Sequence, residues 1–186
     1  AFMRSARYAE LSRRLPRNAE RARLVEGLIE ATGVLELVEV SDVFPCTEGE
    51  LAVFHTREYV KALKKPPGDR EVLEELGLVD DCPVFEGVHE LAALEAGGSL
   101  QASDLLAYGD CDTAIWWGGG RHHAMSDRAS GYCYVNDCNL AILRLLKTFD
   151  RVMYIDIDVH HCDGVQDAFA VTDRVLTLSF HHHSLL

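Results

Sequence analysis

The chain has 186 residues, of which 48% are hydrophobic and 26% are charged, as in a single ordinary globular domain. No apolar run approaches the ~20 residues that span a bilayer, and the first residues show no secretory pattern, so neither a membrane protein nor a secreted one is indicated. The formal net charge of -12 argues against direct nucleic-acid binding, which needs a basic surface, and is compatible with attraction of a basic peptide.

Helical and strand-like patterns alternate through the first half of the chain. Apolar residues repeat with a helical period over Arg17–Thr32, and Leu35–Val40 alternates as a strand. Thr56–Leu63 is predicted as a short helix ended by prolines, and the charged, Pro- and Gly-bearing stretch Lys64–Gly77 as mainly surface loop. Pro83–Ala107 is predicted to be largely helical, with a break or close packing at its paired glycines.

The second half repeats the same alternation. The predicted elements are strand Thr113–Trp116, helix Asn136–Lys147, strand Val152–Ile155, helix Asp163–Ala170 and strand Val175–Leu178. Strands that alternate with helices predict a single α/β domain over residues 1–186, with helices flanking a parallel central sheet.

The most informative segment follows the predicted strand 152–155. Asp156, Asp158 and His160 are spaced two residues apart, so an extended backbone would place their side chains on one face. Neighbouring carboxylates need a cation or a proton between them, and oxygen and nitrogen ligands without a thiolate suit a catalytic divalent metal. The alternative is an acidic strand end in a solvated loop.

Three glycines and two histidines follow the predicted strand 113–116. Gly118–Gly120 free the backbone for a tight turn. His122 and His123 then emerge at the carboxyl end of the strand, where parallel sheets place their ligand crevice. Histidines beside a metal indicate general acid and base chemistry, with Asp156 and Asp163 as candidate carboxylate partners. For an isolated His-His pair, a surface position without function is the alternative.

Other chemistries have weaker support. The glycines do not form GxGxxG, and no phosphate-binding loop or GxSxG nucleophile elbow is present. Cys133 is a candidate nucleophile, with a buried, inert thiol as the alternative, and His181–His183 is a weak candidate for a role near the crevice. The cysteines form no CxxC pair, which favours reduced thiols in an intracellular protein. They are Cys46, Cys82, Cys111, Cys133, Cys138 and Cys162.

Several motifs together resemble the zinc-dependent histone deacetylases, especially class I. They are Asp80–Pro83, Gly119–Ala124, Ala129–Asp137, Tyr154–His161 and Asp163–Phe169. The resemblance runs from about His55 onward, in the same order and with similar spacing. It implies the three-layer arginase-deacetylase fold, in which helices flank a parallel central sheet. By the same resemblance, this chain is expected to be the amino-terminal half of the catalytic domain, and so a single, incomplete domain.

The resemblance implies hydrolysis of acetyl-lysine amides on histones or other proteins, with a role for each matching residue. His123 would be the general base and acid, with Asp163 as its carboxylate partner. His122 would assist electrostatically, paired with Asp156. The residues that would contact the substrate are Asp81 at the pocket rim, and Gly131 and Tyr132 along the tunnel for the lysine chain.

The resemblance also implies metal sites. Asp158 and His160 would bind a catalytic Zn²⁺, or another divalent metal such as Fe²⁺. A first K⁺ site would use Asp156, Asp158, His160, Ser179 and Phe180, partly through main-chain carbonyls. A second K⁺ site would use the carbonyls of Phe169, Thr172 and Val175.

The chain also departs from the family pattern. The family's third zinc ligand, an Asp, and its oxyanion-binding Tyr lie downstream of Leu186, which predicts a truncated domain with exposed apolar surface at the missing part of its sheet. Cys162 replaces a common glycine, and would strain the loop if that position needs a positive φ. Its thiol is also a candidate extra ligand. Arg121 replaces an apolar residue and puts a cation beside His122.

Three functions stay open from the sequence: an active lysine deacetylase, a catalytically inactive truncated deacetylase that acts through partner binding, and a related deacetylase of polyamines or other small amides. The expected partners are acetylated histone tails or other acetyl-lysine proteins and corepressor proteins, with no direct nucleic-acid or membrane partner. The expected location is the nucleus, with the cytoplasm as a second. By resemblance, Asp80–Pro83 favours a peptide substrate.

Overall fold

A computed structural model describes residues 1–17 and 19–182. The helices are α1 (Ala6–Ser12), α2 (Arg21–Ala31), α3 (Glu48–Leu51), α4 (Arg57–Lys64), α5 (Arg70–Glu75), α6 (Val88–Tyr108), α7 (Asp137–Leu145) and α8 (Asp163–Phe169). The strands are β1 (Phe2–Arg4), β2 (Val40–Asp42), β3 (Ile115–Trp116), β4 (Val152–Asp156) and β5 (Val175–Ser179). Residues 183–186, which include the last histidine of the predicted triplet, lie outside this description.

The strands form two parallel sheets. In the first, β1 lies between β2 and β3, with Phe2 opposite both Val40 and Ile115. In the second, β4 pairs with β5, and Asp156 is opposite Ser179. Parallel strands with flanking helices are the α/β architecture that the sequence predicts, and this prediction is confirmed.

The long helix α6 forms the centre of the core. Every residue from 91 to 98 along it is buried. A Cβ on Gly98 would lie 2.4 Å from the ring of Trp116, so the absence of a side chain there lets β3 approach the helix closely. The paired glycines therefore mark close packing, and the helix continues through them. No helix in the described part of the chain is long and apolar enough to span a membrane.

The structure corrects two predictions of secondary structure and adds three elements that were not predicted, α1, α3 and β1. The predicted strand Leu35–Val40 is wrong, because a 3₁₀ turn forms at Val34–Leu37 after Gly33, whose φ is +70°. The strand β2 begins only at Val40, the last residue of the predicted strand. The predicted loop Lys64–Gly77 contains α5, because the Asp69 side chain caps that helix. β1 was missed because a strand of three residues is too short to show an alternating pattern.

Candidate active site

One cavity gathers most of the predicted catalytic, substrate-binding and zinc-binding residues. Its volume is about 590 Å³, within the usual range of ligand pockets. It lies beyond the carboxyl ends of β3 and β4, where parallel sheets commonly place ligands. The predicted residues that line it are Asp81, His122, His123, Gly131, Tyr132, Asp158 and His160.

The start of α7 holds the histidine loop in place. Asn136, its N-cap, donates from Nδ2 to the carbonyls of His122 and Ala124, at 3.2 and 2.9 Å. The carboxylate of Asp137 accepts from the N–H groups of Gly120 and the residue after it, at 3.0 and 2.7 Å. The sequence analysis missed both residues. The available signal was an Asn-Asp pair, a common helix N-cap pattern, at the start of a strongly amphipathic helix.

His122 and Asp156 form the more deeply buried of two imidazole–carboxylate pairs. His122 Nδ1 lies 2.7 Å from Asp156 Oδ2. The Tyr154 hydroxyl donates to the same oxygen at 2.5 Å, and the Asp158 N–H donates to Oδ1 at 2.8 Å. Burial alone would raise the pKa of Asp156, but the hydrogen bonds from Tyr154, Asp158 and His122 lower it overall. The ionised carboxylate only accepts, so His122 carries its proton on Nδ1.

His123 and Asp163 form the second pair. His123 Nδ1 lies 2.6 Å from Asp163 Oδ1, which also accepts from the Gly164 N–H at 2.9 Å. With Nδ1 donating to the carboxylate, Nε2 of His123 is the nitrogen left to accept a proton. The two imidazole rings are 4.0 Å apart. The structure thus places both histidines beside the carboxylates that the sequence suggested, and the catalytic roles stay predictions.

Asp158 and His160 contact each other at the cavity wall. Asp158 Oδ1 accepts from the His160 N–H at 2.8 Å and lies 2.9 Å from His160 Nδ1. The expectation that an extended backbone aligns these side chains with Asp156 is wrong, because β4 ends at Asp156. Carboxylates that accept the N–H two residues ahead turn the chain at Asp156 and again at Asp158, and these Asx turns bring the side chains together.

Asp158 and His160 are chemically suited to two positions of a metal site. Two ligand atoms that each lie about 2.0–2.2 Å from a tetrahedral Zn²⁺ are roughly 3.3–3.6 Å apart, whereas Oδ1 and Nδ1 lie 2.9 Å apart, at the distance of a direct hydrogen bond. The two side chains would therefore have to separate by about half an ångström to share one ion. Catalytic zinc usually has three protein ligands. Across residues 1–17 and 19–182, no group of three or more His, Cys, Asp or Glu side chains is arranged to hold a metal. The described residues therefore offer two ligands and no third.

The two predicted K⁺ sets lie at opposite ends of β5. At its carboxyl end, the Asp156 carbonyl accepts the Phe180 N–H at 2.9 Å, and Ser179 pairs with Asp156 in the sheet. Before its amino end, the Phe169 carbonyl accepts the Thr172 N–H at 3.3 Å. The structure brings members of each set together, and cation binding at either set stays a prediction.

Gly131 and Tyr132 form the wall that faces His123. A Cβ on Gly131 would lie 2.6 Å from His123 Cδ2, so a larger residue would displace the imidazole. Tyr132 has a φ of +64°, which is rare for a residue with a side chain. The exposed Asp81 lines the same cavity as Tyr132, and its carboxylate raises the pKa of Tyr132. The Arg17 guanidinium stacks over the Tyr132 ring at 5.6 Å.

Arg121 is paired with a carboxylate. Its guanidinium lies 2.7 Å from the buried Glu95 and donates to the Tyr8 hydroxyl at 3.1 Å. Burial raises the pKa of Glu95 to about 7, although Arg121 acts in the opposite direction. The cation that the sequence puts beside His122 is thus compensated inside the protein.

Cys133, the candidate nucleophile, and Cys162, the candidate extra ligand, are both buried. Burial raises the pKa of Cys133 to about 12, which favours the inert thiol over the nucleophile. Cys162 has a φ of −79°, so the expected backbone strain is absent. Its side chain packs in an apolar cluster with Ile142 and Val165 and does not join the two candidate metal ligands.

His181, from the predicted histidine triplet, packs against His161 with ring centroids 4.7 Å apart. It is not among the residues that line the cavity.

Comparison with known proteins adds an independent result. The histone deacetylase domain matches residues 15–185 of the chain. Histone deacetylase 8 of Danio rerio is 44% identical over 187 residues, which cover 98% of this chain and 50% of that protein. Histone deacetylase 19 of Arabidopsis thaliana is 44% identical over 171 residues, covering 89% of this chain and 34% of that protein.

A fungal relative gives the same result. Histone deacetylase RPD3 of Saccharomyces cerevisiae is 42% identical over 173 residues, which cover 90% of this chain and 40% of that protein. The chain therefore spans half or less of the length of these curated relatives. Because the family match runs through nearly all of the sequence, the chain belongs to the histone deacetylase family.

Proposed function

We propose that this chain supplies part of the active site of a zinc-dependent lysine deacetylase, which hydrolyses acetyl-lysine amides on histone tails or other proteins. The observation that carries the proposal is the gathering of two His–Asp pairs and the Asp158–His160 pair around one cavity of about 590 Å³. Membership of the histone deacetylase family supports the same reaction class.

The side chains in this cavity match the proton transfers of amide hydrolysis. A zinc ion held by Asp158 and His160 would supply Lewis acidity toward the acetamide carbonyl and the attacking water. His123, oriented by Asp163, takes the proton of the water through Nε2. The same nitrogen then protonates the lysine amine, because an amide nitrogen leaves poorly without a proton. His122 assists electrostatically beside it.

The cavity wall indicates how an acetyl-lysine substrate would enter. Gly131 and Tyr132 line the path of the lysine methylenes, and the carboxylate of Asp81 would accept from the substrate backbone. The net charge of -12 favours approach of a basic histone tail. Membership of the histone deacetylase family supports our further proposal of a nuclear location and corepressor partners. Neither the geometry nor the comparisons favour a polyamine substrate or a purely partner-binding role.

The proposal is tested by measuring zinc content and turnover of a fluorogenic acetyl-lysine peptide in the same preparations. We expect zinc-dependent turnover by the chain, and a loss of both bound zinc and turnover in Asp158→Asn, because that change removes a charged ligand. His123→Ala should keep its zinc and lose at least 100-fold in rate, the order of magnitude that general acid–base catalysis contributes.

Asp127→Asn is the matched control, because Asp127 is an exposed carboxylate outside the cavity. It should behave like the unchanged chain in both assays. Inertness of the chain at every zinc concentration would contradict the proposed activity. Equal zinc content in the unchanged chain and Asp158→Asn would contradict the proposed metal ligands.

A further inference from the structure

Strand β4 brings an additional residue to the buried histidine pair. Val152, Tyr154 and Asp156 alternate along the strand, so their side chains share one face. Val152 and Tyr154 pack against the apolar cluster formed by α7, α8 and β5. That packing fixes the Tyr154 ring, and its hydroxyl is thereby held at the carboxylate two residues ahead.

The Tyr154 hydroxyl competes with His122 for one oxygen atom. It lies 2.5 Å from Asp156 Oδ2, and His122 Nδ1 lies 2.7 Å from the same atom. Burial raises the pKa of Tyr154, so the hydroxyl keeps its proton and acts as a donor. The Cys138 sulfur is also in range at 3.8 Å, but the charged carboxylate is the closer and stronger acceptor.

Among the described residues, no side chain competes in this way with His123 for Asp163 Oδ1. Asp163 Oδ1 accepts from His123 and from the backbone N–H of Gly164, and its side chain is 43% exposed to solvent. Asp156 is almost fully buried and accepts three hydrogen bonds, from Tyr154, His122 and the Asp158 N–H. The two imidazoles therefore meet carboxylates of unequal accepting strength.

We propose that Tyr154 is a positioning residue that shares Asp156 Oδ2 with His122 and so limits the strength of the His122–Asp156 hydrogen bond. Each donor to a carboxylate withdraws negative charge from it, so the oxygen that Tyr154 already binds attracts the His122 proton less. The consequence for the site, which rests on the proposed deacetylase function, is that the His122–Asp156 hydrogen bond stays weaker than the His123–Asp163 hydrogen bond, so His122 is the less polarised of the two imidazoles.

The test is proton NMR of the chain with ¹⁵N-labelled histidine, in which the Nδ1–H signal of His122 is identified by its loss in His122→Asn. A stronger hydrogen bond moves this signal to lower field. Tyr154→Phe should therefore shift the His122 signal to lower field and leave the His123 signal in place. An unmoved signal, or one at higher field, would overturn the proposal.

Tyr59→Phe is the matched control, because it also deletes one buried hydroxyl, which donates to the Tyr134 carbonyl at 2.6 Å. It should leave the His122 signal unchanged. Replacement of Tyr154 by fluorotyrosine gives a second measurement that keeps the hydroxyl if the phenylalanine variant fails to fold. The more acidic phenol donates more strongly, so the His122 signal should move to higher field, and movement in the other direction would also overturn the proposal.

These measurements need neither metal nor turnover. Suppose that the chain is inactive on acetyl-lysine peptide while its His122 signal moves to lower field in Tyr154→Phe and to higher field with fluorotyrosine. That result would support the role of Tyr154 and contradict the proposed function. If the chain is active but its His122 signal has the same position in both variants as in the unchanged chain, the proposed function is supported and the role of Tyr154 is contradicted.

Discussion

At the scale of single residues, the buried ion pair Arg121–Glu95 makes a prediction about stability. Arg121→Leu leaves the Glu95 carboxylate buried without its partner, and removal of one partner from a buried pair typically costs about 3–5 kcal/mol. Glu95, whose pKa is already raised to about 7, will take up a proton and so limit the loss at acidic pH. Urea denaturation should therefore show a larger loss of stability above neutral pH than below it.

The double variant Arg121→Leu/Glu95→Leu measures how strongly the two residues interact with each other. Hydrophobic replacement of both partners removes the unpaired charge, so the double variant should recover most of the stability lost by the single one. The recovery should be incomplete, because the Tyr8 hydroxyl loses the hydrogen bond that it accepts from Arg121. If the loss of unfolding free energy in the double variant equals the sum of the losses in Arg121→Leu and Glu95→Leu, the two residues do not interact energetically.

At the scale of secondary-structure elements, His55 connects acid stability to the start of α7. Its buried Nε2 accepts the N–H of Asn136, the helix N-cap, at 3.0 Å. Burial lowers the pKa of His55 to about 4. Below pH ~6.5 the unfolded chain protonates this histidine while the folded chain does not, so the unfolded state binds more protons and stability falls as the pH falls.

The expected loss from His55 is roughly 2 kcal/mol between about pH 7.5 and 5. His55→Gln removes the titrating group and keeps an oxygen that can accept the Asn136 N–H. Urea midpoints of this variant should therefore fall less over the same pH interval than those of the unchanged chain. His182→Gln, at an exposed site, should show the full decline, and an equal decline in His55→Gln would exclude His55 as the cause.

The same element scale shows what the sequence could and could not predict. Periodicity predicted β4 and α7 because their apolar patterns are long enough to recognise. It failed at Asp158 and His160, where Asx turns formed by side-chain carboxylates replace the extended backbone. Spacing alone also could not reveal Tyr154, because its contact with the oxygen that binds His122 depends on how the glycine turn folds back onto β4.

At the scale of the whole molecule, the described residues cover the β4–β5 sheet on one face only. One face packs on α7 and α8. The opposite face presents Met153, Ile155, Leu176 and Leu178, which are between 38% and 60% exposed. Parallel sheets are normally covered on both faces. An apolar surface of this kind favours association with another protein surface, and in a purified sample the available surface is a second copy of the chain.

We therefore expect the 186-residue chain to self-associate in a concentration-dependent way, which light scattering measures as a rising apparent mass. Ile155→Lys places a charge in the centre of the exposed face, so burying that face would require desolvating an unpaired ammonium group, and association should weaken. Gln166→Lys adds the same charge to an exposed position on α8 and should leave association unchanged. Equal masses for all three proteins across the concentration range would show that this face does not drive association, since the charge at position 155 is the one change that the apolar contact cannot accommodate.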